Sequence, residues 1–158
     1  MKLHQLNVSL DARQDRLLLR ISTTAGEEFR FWLTRRLIQH CWPEWVSAMQ
    51  QAEGFAATQV PLEFRHAAAV QQADFATPYT AATPVAEPVL LAQFVLRATT
   101  PGHYEMTLAP RSGQKLRAQL AANHVHGFVQ LLQAAVRDAD WGLSLALPAA
   151  TMASRAIN

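Results

Sequence analysis

The chain has 158 residues, of which 50% are hydrophobic and only 16% are charged, a composition typical of a globular domain that excludes a disordered tail. Fourteen basic and twelve acidic side chains give a net charge of +2, too small by itself to indicate nucleic-acid binding. No apolar run is long enough to cross a membrane, the first residues lack the apolar stretch of a signal peptide, and the single cysteine, Cys41, excludes an internal disulfide, so we expect a cytoplasmic protein.

The N-terminal third alternates between apolar and polar residues, which predicts half-buried strands. The inward residues of three strands are Leu6, Val8 and Leu10, then Leu17, Leu19 and Ile21, then Phe29, Phe31 and Leu33. Residues 11–15 and 24–27 are polar or glycine-containing connections, which favour turns. We therefore expect an antiparallel three-stranded meander.

A helix is predicted directly after this meander. Thr34 is a suitable N-cap because its hydroxyl can accept a hydrogen bond from a free backbone N–H group. The apolar residues that follow share one helical stripe, namely Ile38, Cys41, Trp42, Trp45, Ala48 and Met49. Pro43 lies within this stripe and predicts a kink or a restart of the helix.

The middle of the chain divides into two kinds of sequence. Residues 62–73 favour a helix that starts after Pro61, whereas residues 77–88 contain three prolines and predict an extended surface linker. Segment 53–87 has four acidic residues and one basic residue, so the middle is acidic between two mildly basic ends.

The same pattern recurs when the chain is shifted by 87 residues, so that Gly26 meets Gly113 and Val8 meets Val95 without a gap. We therefore predict an α+β fold built as a tandem repeat: an antiparallel meander of three to four strands followed by a helix, with pseudo-twofold symmetry and helices packed on one side of the sheets. Chance agreement of two segments is the alternative. We predict a single domain, 1–158, made of a first repeat at 3–52, a helix and Pro-rich linker at 53–88, and a second repeat at 89–147. The second repeat ends in a short strand at 141–147, and a flexible tail follows at 148–158.

The predicted outer face of the first meander carries basic residues next to a tryptophan. Its residues are Arg16, Leu18, Arg20, Arg30 and Trp32, and the corresponding face of the second meander carries Lys115 and Arg117. Cationic groups beside a flat ring suit single-stranded nucleic acid, since they can bind phosphates and stack on bases. The alternative is that Leu18 and Trp32 pack on the other unit or on a second subunit.

Arg35 and Arg36 follow the predicted cap, where the helix dipole disfavours positive charge. A nearby glutamate, namely Glu27, Glu28 or Glu44, or else a bound phosphate, could compensate this charge.

We find no pattern that predicts an enzyme, a metal site or a cofactor. The histidines are scattered, and His124 and His126 would point to different sides of a helix. Cys41 falls on the predicted buried stripe, where cysteine is usually a small apolar residue. No Gly-rich phosphate loop or nucleophile elbow occurs.

The layout of strands and helix at about 3–52 and 89–147, carried by residues 17–21, 29–33 and their counterparts, resembles the whirly and Pur-repeat group of single-stranded nucleic-acid-binding folds. Those folds usually have four strands per unit, and residues 60–64 are the candidate for a fourth. Residues 15–36 are also similar to bacterial proteins of unknown function. The resemblance implies a non-enzymatic binding protein for single-stranded DNA or RNA, and the alternative is a protein-interaction or self-assembly module.

Overall fold

The computed structural model describes residues 1–52 and 60–148, and within them the chain folds as α+β, with three helices and a mixed open sheet of seven strands. The strands are β1 (Leu3–Asp11), β2 (Arg16–Thr23), β3 (Glu27–Leu33), β4 (Thr83–Pro84), β5 (Val89–Ala98), β6 (His103–Pro110) and β7 (Leu116–Ala121), and the helices are α1 (Arg35–Gln51), α2 (Leu62–Gln72) and α3 (Ala122–Ala139). The α+β class predicted from the sequence is confirmed.

Two antiparallel meanders, β1-β2-β3 and β5-β6-β7, lie side by side in the sheet. They join through a short parallel pairing of β3 with β5, in which Phe31 lies opposite Val89 and Trp32 opposite Leu90. The two-residue strand β4 pairs with the start of β3. Gly26 has a φ of +82° in the turn between β2 and β3, a conformation that glycine adopts without steric cost.

One face of both meanders forms the core, as the alternation predicts. The fully buried strand residues include Leu17, Leu19, Ile21, Leu33, Tyr104 and Leu108. Phe31 is 4% exposed, and Phe29 is partly buried against the same core. The alternate residues of β2 and β3 therefore lie on the outer face of the sheet.

The predicted cap and stripe of α1 are confirmed. The hydroxyl oxygen of Thr34 accepts a hydrogen bond from the backbone N–H of Leu37 at 3.2 Å. Pro43 does not divide the helix, although it removes one backbone hydrogen bond. Trp45 and Met49 lie beyond the proline and are buried, so core packing supports the helix on both sides of it.

Each helix crosses to the other meander and does not mainly cover the meander that it follows in the chain. Helix α1 packs mainly against β5, and α3 packs mainly against β1 with smaller contacts to β6 and β7. Trp45 of α1 donates a hydrogen bond from Nε1 to the carbonyl oxygen of Phe94 in β5 at 3.0 Å, and their rings lie 4.6 Å apart. An apolar stripe indicates that a helix is buried but not which strand it contacts.

The gap-free alignment of the two halves is wrong by one residue in the first strands. Val8 lies opposite Leu19 in the first meander, and Leu96 lies opposite Met106 in the second. Val8 and Leu96 are both buried, whereas Val95 is 38% exposed on the other face. The first hairpin loop is therefore one residue longer than its counterpart.

Two predicted strands are absent from the described part of the chain. Residues 60–64 include the start of α2, so they supply no fourth strand to the first meander. Residues 141–147 are irregular, although Trp141 and Leu145 are buried. Trp141 donates a hydrogen bond from Nε1 to Asp15 at 2.7 Å, so a side-chain anchor replaces strand pairing. Of the predicted tail only Pro148 falls within the described residues.

Two histidines meet where α2 packs on α3. The Nδ1 atoms of His66 and His126 lie 2.9 Å apart, and both side chains are buried. One ring must donate and the other accept, so the contact favours two neutral rings in complementary tautomers. Burial, and then the neighbouring His126, lower the pKa of His66.

We expect acid to destabilise the protein through this pair. Because the folded-state pKa of His66 is below its ordinary value of 6.5, the unfolded chain binds more protons, and the stabilisation present above pH 6.5 is lost as the pH falls below it. The double variant His66→Leu, His126→Leu should weaken the pH dependence of the free energy of unfolding, measured in urea between about pH 7 and pH 5. His40→Gln, at an exposed histidine, is the control and should keep the wild-type slope. An unchanged slope in the double variant would contradict the assignment.

Candidate functional site

The five residues predicted for the outer face of the first meander do lie together. Leu18 of β2 is directly opposite Trp32 of β3, and Arg20 is directly opposite Arg30. Arg16 begins the same strand, and its guanidinium carbon lies 4.3 Å from the centre of the Trp32 ring. All five side chains are half-buried.

The apolar part of this face extends across the joint between the meanders. Leu90 of β5 lies opposite Trp32, and it does not belong to the core cluster. Leu18, Trp32 and Leu90 therefore form an apolar row across three neighbouring strands. We call this row the apolar ladder.

Arg20 and Arg30 are held by a buried carboxylate that the sequence analysis did not assign to this face. The Glu28 side chain is 1% exposed and lies 3.0 Å from Nη2 of Arg20 and 4.0 Å from Nε of Arg30. Two arginines opposite one another would repel, and the carboxylate between them offsets this repulsion. Its position two residues before Arg30 was the available signal, since such residues share a face of a strand.

The predicted linker is extended, as expected, but it lies over this arginine cluster. We call residues 77–86 the strap. The hydroxyl of Tyr79 donates a hydrogen bond to Glu28 at 2.8 Å, and the Tyr79 ring centre lies 4.6 Å from the guanidinium carbon of Arg20. Nη2 of Arg30 donates to the carbonyl oxygen of Ala86 at 3.0 Å. This part of the outer face is thus covered by the chain itself, an alternative that the sequence analysis did not include.

The contacts beneath the strap set the ionisation of both acidic groups. Burial opposes ionisation of Glu28, but hydrogen bonds from Tyr79 and Arg20 outweigh it and hold the pKa of Glu28 below its usual value. Burial, and then the hydrogen bond to Glu28, raise the pKa of Tyr79 to about 12. Glu28 therefore remains a carboxylate and Tyr79 remains a neutral hydrogen-bond donor near neutral pH.

Arg35 and Arg36 have no acidic partner among the described residues, so the predicted pairing with a glutamate is wrong. Glu28 pairs with the two strand arginines instead. Arg36 and His40 line a groove of about 840 Å³ between α1 and β5, with Arg111 and Leu90 on its other side. Arg111 follows β6 and was not predicted, because only the tertiary fold brings it to α1.

Lys115 and Arg117 form a separate patch. Both are exposed, and Arg117 lies opposite Thr107 on the second meander. Strands β5 and β6 separate β7 from β3, so Arg117 and Trp32 are at least three strand spacings apart, about 14 Å across the sheet. The structure therefore does not bring Lys115 and Arg117 together with the outer face of the first meander.

Histidine, cysteine and acidic residues elsewhere form no cluster that could bind a metal ion in the parts of the chain that are described. No group of three or more histidine, cysteine or acidic side chains is placed to hold a metal ion. Cys41 is buried as predicted, and burial raises the pKa of its thiol. In the same ranges, no helix is long and apolar enough to cross a membrane.

Comparisons with protein-family models, with curated proteins and with solved structures give no match for this chain.

Replacing Glu28 by glutamine should lower the free energy of unfolding by about 1–3 kcal/mol, because Arg20 loses its charged hydrogen-bond acceptor and Arg30 loses an ion-pair partner. The folded-state pKa of Glu28 lies below its ordinary value of 4.5. The stability that Glu28 contributes in the wild type is therefore present above pH 4.5 and is lost as the pH falls below it. Urea unfolding at a series of pH values should show a weaker acid dependence for Glu28→Gln. Glu27→Gln, an exposed neighbour on the same strand, is the matched control and should change little. Equal effects of the two substitutions would contradict the role given to Glu28.

Proposed function

We propose that the protein is a non-enzymatic, cytoplasmic binding protein and that its ligand is single-stranded DNA or RNA. The proposal depends on one observation: Trp32 is half-buried in the middle of the apolar ladder, and the guanidinium of Arg16 lies over its ring. A flat aromatic surface can stack on any base, and an adjacent guanidinium can bind the phosphate that follows it. This combination suits a ligand that alternates rings with negative charges.

The charges around the ladder support an anionic ligand. In the described residues, Arg16, Arg36 and Arg111 form no ion pair within 4.0 Å, so their charge is available to phosphates. Leu90 belongs to the ladder and also lines the groove that contains Arg36 and Arg111. A strand stacked on Trp32 could therefore continue over Leu90 into that groove.

We further propose that the two meander-plus-helix units are copies of one unit related by a pseudo-twofold axis, the layout that resembles the whirly and Pur-repeat folds. The exchange of helices is reciprocal, which supports this: α1 packs on β5, and α3 packs on β1. The bulges are also equivalent, since the register of β1 shifts between Leu3 and Gln5 and that of β5 between Leu91 and Gln93.

The positions of two grooves support the same symmetry. A second groove, of about 460 Å³, lies between α3 and β1 and is lined by Asn123 and Gly127. These residues are 87 positions after Arg36 and His40, which line the first groove. The second groove contains no arginine, whereas Arg36 and Arg111 line the first, so of these two grooves the α1 groove carries the charge that a phosphate requires.

The apolar ladder also supports a second candidate function, a protein-interaction or self-assembly module. Leu18, Trp32 and Leu90 are half-buried and contiguous, and an apolar row of this kind can pack against another protein or a second copy of the chain. Such an interface would require the ladder but not the groove arginines.

Trp32→Ala should weaken binding of a fluorescein-labelled dT or rU oligonucleotide by roughly 5- to 150-fold, since stacking of one base contributes about 1–3 kcal/mol. Fluorescence anisotropy titrations at low and high salt measure this, and binding should weaken as salt rises because counterions are released. Phe64→Ala, at an aromatic residue that is 60% exposed on α2, is the matched control and should bind as the wild type does. If no oligonucleotide binds in a salt-sensitive manner, the nucleic-acid proposal is wrong.

Light scattering separates the second candidate from the first. If the ladder is a self-association surface, Trp32→Ala should disperse an oligomer that Arg36→Gln leaves intact. A wild-type monomer whose mass does not change with concentration would contradict self-association.

A further inference from the structure

We propose that the strap is a removable cover that masks Arg20 and Arg30 and thereby regulates access of the ligand to the outer face. The regulatory part of this proposal rests on the proposed function. The masking itself concerns only the chain's own contacts, and it can be measured without any ligand.

The contacts of the strap resemble those expected of a nucleic acid. The Tyr79 ring lies 4.6 Å from the guanidinium carbon of Arg20, the position that a stacked base would take. The carbonyl oxygen of Ala86 accepts a hydrogen bond from Arg30 at 3.0 Å, as a phosphate oxygen would. A ligand and the strap would therefore compete for the same two arginines.

The most buried contacts of the strap meet at one residue. Of residues 77–86, Tyr79 and Ala82 are partly buried and the others are exposed, and both Tyr79 and Ala82 contact Glu28. The hydroxyl of Tyr79 lies 2.8 Å from the Glu28 carboxylate, and the backbone N–H of Ala82 lies 3.5 Å from it. Glu28 is therefore the main attachment site for the strap.

The remaining attachments are polar and lie close to solvent. Gln5 donates to the carbonyl oxygen of Pro78 at 3.3 Å and accepts from the N–H of Thr80 at 3.0 Å. Strand β4 adds only two residues of pairing with β3. Segments with few buried apolar contacts and exposed hydrogen bonds open at a low free-energy cost.

Release of the strap would leave the core of the protein intact. No strap residue belongs to the buried core cluster, and Val85, the largest aliphatic residue of the strap, is 53% exposed. After release, Arg20, Arg30 and Glu28 together would carry a net charge of +1 on an uncovered surface beside Trp32. The cover thus conceals positive charge without contributing to the packing of the core.

The test compares two variants of Tyr79. Tyr79→Ala removes both the ring and the hydroxyl that binds Glu28, whereas Tyr79→Phe removes only the hydroxyl. Phe75→Ala is the matched control, because Phe75 is a 45% exposed aromatic residue just outside the strap. Urea unfolding first establishes that each variant is folded. Modification by p-hydroxyphenylglyoxal, followed by mass spectrometry, then measures how accessible Arg20 and Arg30 are.

We expect both arginines to be modified several-fold faster in Tyr79→Ala than in the wild type or in Phe75→Ala, with Tyr79→Phe between them. In parallel, the affinity for the labelled oligonucleotide should rise by about 3- to 10-fold in Tyr79→Ala, because apparent affinity follows the fraction of molecules in the competent, open state.

The outcomes separate the two proposals. Unchanged modification of Arg20 and Arg30 overturns the cover. Faster modification with unchanged oligonucleotide affinity overturns its regulatory role, since the masked arginines would not contribute to binding. Faster modification when neither wild type nor variant binds any oligonucleotide overturns the proposed function and leaves the masking supported.

Discussion

The parallel pairing of β3 with β5 is the constraint on which the rest of the structure depends. Two backbone positions, Phe31 opposite Val89 and Trp32 opposite Leu90, join the two meanders into one sheet. With the meanders joined, each helix can cross to the neighbouring unit, and the apolar residues of both units form one core. The same joint places Leu90 next to Trp32 and so creates the apolar ladder.

The path of the chain into this joint also explains the strap. The segment before β5 runs alongside the start of β3, where β4 pairs and where Glu28 lies, before β5 pairs further along the same strand. A buried carboxylate requires hydrogen-bond donors, and Tyr79, Arg20 and the backbone of Ala82 supply them. The same hydrogen bonds thus stabilise the buried charge of Glu28 and attach the segment that connects the two meanders.

The outer face of the first meander therefore has two parts with different properties. Arg20 and Arg30 belong to an internally compensated cluster beneath the strap, whereas Arg16 and the apolar ladder are free of it. Charge that is already paired contributes little to binding a ligand, since the existing hydrogen bonds must first be broken. The groove beside α1 supplies arginine charge that forms no ion pair with another described residue. This charge lies close to the ladder, so the centre of the candidate site moves from the arginine pair toward Trp32, Leu90 and Arg36.

The sequence by itself determined most of the elements and, in the first meander and α1, which side of each is buried. The alternation in β2 and β3, the Thr34 cap and the stripe of α1 are local patterns, and local patterns report whether a residue is buried. Only the tertiary structure decided what each buried or charged group contacts. The crossing of Trp45 to Phe94, the meeting of Tyr79 with Glu28 and the approach of Arg111 to α1 join residues that are distant in the chain. An apolar stripe or an unpaired charge is compatible with many partners, so its actual partner is fixed only when the whole core packs.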